Sequence, residues 1–131
     1  MANINHKRGD TFQLNFTLTD NSDAAVDLTN YDIRAQARDT TGTLILEWNQ
    51  NQSPPGVNIT NAAGGLFNLK SEAAYTTTPT GQNATYLLAT ESWPLGVLNV
   101  DVEFTDTSAT PDSVSSSETF TITVIEDITR D

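Results

Sequence analysis

Asp101 and Glu103 are the residues whose types and spacing come closest to chemistry in this chain. They lie two apart in Leu98-Asn99-Val100-Asp101-Val102-Glu103-Phe104, where apolar and polar residues alternate without a break. In a strand both carboxylates project from one face about 7 Å apart, a separation suited to paired-carboxylate glycoside hydrolysis. An alternating acidic face is also what a half-exposed strand presents to water, and that plainer reading is favoured.

Other chemistry is thinner. His6 is the sole histidine and stands in a polar lead-in, so a Ser-His-Asp arrangement or a histidine metal site would rest on a terminus expected to fray. Asp20, Asn21 and Asp23 offer oxygen ligands for calcium without the glycine and distal glutamate of an EF-hand loop, and an Asx turn accounts for them. Trp48 and Trp93, with Tyr75 and Tyr86, could form a sugar-stacking platform; Trp48 and Trp93 are therefore the candidate glycan contacts, set against the commoner role of core plugs. Arg8-Gly9-Asp10 matches a tripeptide that integrins read, yet a glycine turn before a strand explains it. With no cysteine in the chain, thiolate nucleophiles, disulfides and thiolate metal sites are excluded together. No residue pattern requires a cofactor or a metal, and an enzyme is not expected.

These residues need strands to position them. The opening stretch puts Leu98, Val100, Val102 and Phe104 on one face; burying four such side chains is worth roughly 6 to 12 kcal/mol before chain entropy, so a facing layer is required. Residues 11–19 alternate Phe12, Leu14, Phe16 and Leu18 against Gln13, Asn15 and Thr17, and residues 31–38 alternate Tyr31, Ile33, Ala35 and Ala37 against polar partners. Leu44, Ile45, Leu46 and Trp48 form a denser run, and residues 57–60 and 66–69 read as a hairpin around Asn61-Ala62-Ala63-Gly64-Gly65. Residues 71–75 permit one helical turn capped by Ser71, and residues 85–90 return to strand-like composition. Residues 105–117 read as a mobile polar loop. Residues 118–125 then alternate Phe120, Ile122 and Val124 against threonines. The sum is an all-β chain of seven to nine short strands, most economically an antiparallel β-sandwich.

Length and charge bound the rest. The 131 residues make a single domain, 1–131, with polar tails at 1–8 and 127–131. Seventeen acidic residues against six basic give a net charge of −11, which disfavours nucleic acid and anionic membranes as partners. No apolar run reaches the length of a bilayer span, so synthesis and assembly in a cytoplasm are expected.

The stretches Lys7-Arg8-Gly9-Asp10-Thr11-Phe12, Val26-Asp27-Leu28-Thr29-Asn30-Tyr31, Ile33-Arg34-Ala35-Gln36, Trp93-Pro94-Leu95-Gly96, Asp101-Val102-Glu103-Phe104 and Ile125-Glu126-Asp127-Ile128-Thr129-Arg130 come in a characteristic order. In that order and spacing the chain resembles small immunoglobulin-like proteins of tailed bacteriophages, in particular the N-terminal domain of upper baseplate proteins. Residues 51–56 and 73–83 fall outside the likeness. The resemblance implies an immunoglobulin-like sandwich that acts as a non-enzymatic virion structural protein of the tail or baseplate, or as a capsid decoration protein. Its partners would be other virion proteins, with a homo-oligomer in the particle. Removing residues 1–8 is expected to leave folding intact and to weaken assembly. A carbohydrate-binding module using Trp48 or Trp93 is the alternative of another class.

Overall fold

Eleven strands form within residues 2–117 and 119–126, the part of the chain that the computed structural model describes. In order they are β1 (Asn3–Lys7), β2 (Phe12–Thr17), β3 (Tyr31–Arg38), β4 (Leu44–Asn49), β5 (Gln52–Ser53), β6 (Val57–Asn61), β7 (Leu66–Ser71), β8 (Thr80–Gly81), β9 (Gly96–Asp106), β10 (Ser113–Ser116) and β11 (Phe120–Ile125). The larger sheet runs β1-β11-β9-β3-β4, with β10 paired to β9 ahead of β11; the smaller runs β2-β7-β6. All pairings are antiparallel except β1 with β11, which is parallel. With β3, β9 and β11 facing β2, β7 and β6, this is the immunoglobulin-like sandwich, extended by β4 beside β3 and by β1 beside β11.

The alternation in the sequence sets what each sheet buries. Ile33, Ala35, Ala37, Leu46, Trp48, Leu98, Val100, Val102, Phe104, Ile122 and Val124 line the larger sheet's inner face, and Phe12, Phe67, Leu69 and Val57 come from the smaller. Aromatic rings join the layers: Phe67 meets Phe104 edge-on at 5.7 Å, Phe16 meets Phe120 at 5.9 Å, and Phe12 packs between Trp48 and Trp93 at 5.9 and 5.2 Å.

Four local expectations are corrected. The N-terminal lead-in is a strand: Ile4 and His6 turn inward while Asn3, Asn5 and Lys7 face water, and the ladder runs from Asn3 opposite Thr121 to Lys7 opposite Ile125. Its period is hidden because His6 stands where an aliphatic residue would mark the inner face. Residues 71–75 form no helical turn, because Ser71 ends β7 with its hydroxyl under the Trp48 indole. Residues 85–90 form no strand; short 3-10 turns at Ala84–Tyr86 and Thr90–Ser92 take their place. Residues 105–117 are a hairpin, since β9 continues to Asp106 and returns as β10. The 127–131 tail and most of the last resemblance motif lie outside the described residues.

Candidate functional site: the polar face of the larger sheet

The outward residues of the larger sheet bring most of the chain's polar chemistry together. Arg34, Gln36 and Arg38 from β3 stand beside Asn99, Asp101, Glu103 and Thr105 from β9, with Glu47 and Asn49 from β4 beyond them. Two adjoining hollows lie on this face. One of about 180 Å³ is lined by Arg34, Gln36, Arg38, Asn99, Asp101, Glu103 and Ser116; the other, of about 110 Å³, shares Arg34 and Glu103 and extends to Asn49 and Gln82.

Asp101 and Glu103 share this face, and each is already engaged. Glu103 accepts from Arg34 Nη2 at 3.0 Å, and Asp101 accepts from the Thr119 hydroxyl at 2.5 Å. Arg38 spans the Gly42 carbonyl at 3.1 Å and the Gln36 side-chain oxygen at 3.1 Å. Each carboxylate thus holds one neighbouring segment, Glu103 bonding to β3 through Arg34 and Asp101 to Thr119 just ahead of β11. For acid–base work one of them would have to trade that partner for a substrate.

The residue that sequence reading missed is Glu47. It is fully buried although it sits on the outer face of β4. Gln36 Nε2 donates to Oε1 at 2.7 Å, and Asn49 and Asn83 donate to Oε2 at 2.8 and 2.9 Å. Asn49 also donates to the Gln82 carbonyl at 2.9 Å, and Gln52 bridges the Glu47 carbonyl and the Asn49 amide, both at 2.9 Å. A buried carboxylate is costly unless its lone pairs are filled, and here neutral amides fill them. The result fastens the connection from β7 to β9, residues 72–95, onto β4. That connection wraps the strand: Asn83 reaches Glu47 on the outside, and Trp93 packs on Trp48 inside at 6.1 Å.

Trp48 and Trp93 are consequently not glycan contacts. Both are 0 % exposed, so neither offers a ring face to a sugar. Trp48 donates across the core to Ser71 Oγ at 2.8 Å, and Trp93 donates to the Leu88 carbonyl at 3.1 Å, which satisfies each buried indole N–H. Of the tyrosines in that platform, Tyr75 is half-buried, with its hydroxyl oxygen accepting from the Glu72 amide at 3.2 Å, and burial raises its pKa. His6 belongs to the same aromatic cluster, 5.2 Å from Phe12 and 5.4 Å from Trp93, with its Nε2–H donating to the Asp10 carbonyl at 2.9 Å.

The remaining candidates are turns. Asp20 accepts the amides of Ser22 and Ala24 at 2.8 and 3.1 Å, an Asx turn, and Asp23 takes a left-handed φ of 61°. Arg8-Gly9-Asp10 carries the chain from one sheet to the other: Arg8 donates to the Ile125 carbonyl at 2.8 Å, and Gly9 has a φ of 95° that a side chain would strain. Compared with protein-family models, with curated proteins and with solved structures, the chain matches none.

Proposed function

We propose that this chain is a non-enzymatic structural module of a tailed-bacteriophage virion, placed in the tail or baseplate, with capsid decoration as the other position in the particle. The observation that carries the reading is where the shared stretches lie in the sandwich. Phe12, Leu28, Ile33, Trp93, Val102 and Phe104, one or two from each of five stretches, are buried, and the residues around them turn the chain between sheets or start strands. The resemblance is one of framework, and framework is what a virion module contributes. The bonded state of Asp101, Glu103 and Glu47 agrees with this, because each carboxylate holds two or more segments together.

On this reading the protein is made in the host cytoplasm and joins other virion proteins there. The test is its copy number in purified phage particles, by quantitative mass spectrometry against the major capsid protein. About three or six copies are expected for a ring around the tail axis, and a number near that of the capsid protein moves it to the head surface. Absence from the particle overturns the proposal.

A further inference from the structure

Val114 has the most exposed large apolar side chain of the described residues, with 59 % of its surface open. It lies in β10, four residues that are all exposed and pair with β9 along one edge. The row that β1 fills beside β11 begins at Asn3, opposite Thr121, so among the described residues no strand flanks the far edge of β10. Ser117 extends the β10 register and donates its N–H to the Val102 carbonyl at 2.8 Å. Backbone groups alternate in direction along an antiparallel strand, so Val114 and Ser116 turn their N–H and C=O groups away from β9. The edge is thus an unused hydrogen-bonding template bearing one apolar side chain.

We propose that this edge pairs with the same edge of a second copy of the chain, antiparallel, about a two-fold axis through Val114. The order Ser113-Val114-Ser115 reads the same from either side of Val114. A two-fold seam requires that residue i meet j while j meets i. In this register valine meets valine as a hydrogen-bonded pair, Ser113 meets Ser115, and Asp112 meets Ser116. No carboxylate faces another, in a chain whose net charge of −11 would punish such a pair. Moving the axis one residue towards Ser113 sets Asp112 against Val114, and moving it towards Ser115 sets Val114 against Ser116. Either shift separates the valines.

So short a seam buries far less than the roughly 1,000 Å² of a stable interface, which makes the free pair weak and strengthens it where copies are held side by side. The pairing takes its biological setting from the virion module proposed above, yet purified chain displays it without any particle, so each can fail alone.

The absence of cysteine makes a direct test available. The variants V114C, S115C and T60C place one thiol each on exposed positions. Across a hydrogen-bonded antiparallel pair the Cα atoms at position 114 are about 5.5 Å apart, within disulfide reach. Ser115 faces Ser113 instead, and Thr60 lies on the smaller sheet. Under mild oxidation at about 0.5 mM chain, V114C is expected to form a disulfide dimer roughly ten times faster than the other two. Equal rates for all three overturn the proposal. Independently, amide chemical shifts of the parent followed up to about 1 mM are expected to move only in residues 112–117. Stationary shifts, or shifts that move elsewhere, overturn it as well.

Discussion

Glu47 shows how far one residue's role can depart from its type. By period it belongs to the wet face of β4, where a glutamate reads as a solvated charge. Residues 82 and 83 cover it, and three amides become its donors. Removing the carboxylate strands those donors, each at about 1–3 kcal/mol, so E47A is expected to lose about 3 kcal/mol or more in urea unfolding. E47Q keeps one acceptor oxygen and is expected to lose less; equal losses would mean the carboxylate is not the organising group. A second residue-scale device recurs three times among the described residues, a hydroxyl two places on bonded to an aspartate: Asp27 with Thr29, Asp39 with Thr41, and Asp106 with Ser108. In each the hydroxyl donates to the carboxylate at 2.6 Å, and that bond lowers the aspartate pKa. A folded pKa below the unfolded value adds stability above the ordinary aspartate pKa of about 4, and that stability is lost as pH falls through the folded value. The difference in urea midpoint between the parent and D39N is therefore expected at pH 6 and gone by about pH 2. A difference that persists in acid would show that charge plays no part in that turn.

At the scale of elements, β1 changes what the N-terminus does. The sequence reading has residues 1–8 dispensable for folding; the strand they form closes one edge of the larger sheet. It places Ile4 against the core, sets His6 between Phe12 and Trp93, and gives the Thr121 amide its acceptor, the Ala2 carbonyl, at 2.9 Å. Deleting residues 1–8 is expected to cost about 2 kcal/mol or more, from the lost burial of Ile4 and His6 and the opened ladder. Urea unfolding measures the loss, and hydrogen exchange should quicken at Thr121 and its neighbours in β11. An unchanged midpoint would mean that β1 only rests on the sheet. The connection through residues 72–95 is the other element that local reading misjudged. Its short 3-10 turns are held by contacts far along the chain: the Thr90 amide donates to Glu72 O at 2.9 Å, the Thr90 hydroxyl to Asp10 O at 2.7 Å, and Trp93 packs on Trp48 of β4. Composition alone has no means of specifying such a path.

The whole molecule carries eleven more negative than positive charges, and its ion pairs among the described residues are two, Arg34 with Glu103 and Lys70 with Glu72. Self-repulsion therefore outweighs local attraction. Raising salt from about 10 to about 150 mM shortens the screening length from roughly 30 to 8 Å, so the thermal midpoint is expected to rise by a few degrees. A fall would mean that the two pairs dominate. The sequence by itself determined the strand-forming character of the chain and the inward sets of β2, β3, β9 and β11, because a period of two is a local property that chooses a face whatever lies opposite. It also determined the turns at Arg8-Gly9-Asp10 and at Asp20, where a glycine or a short carboxylate decides the backbone by itself. Only the tertiary structure decided that Trp48 and Trp93 are closed to ligand, that Glu47 is buried, that residues 3–7 are a strand and that no strand among the described residues flanks the far edge of β10. Each of these depends on whether a segment distant in the chain covers the face or edge that the local period has chosen.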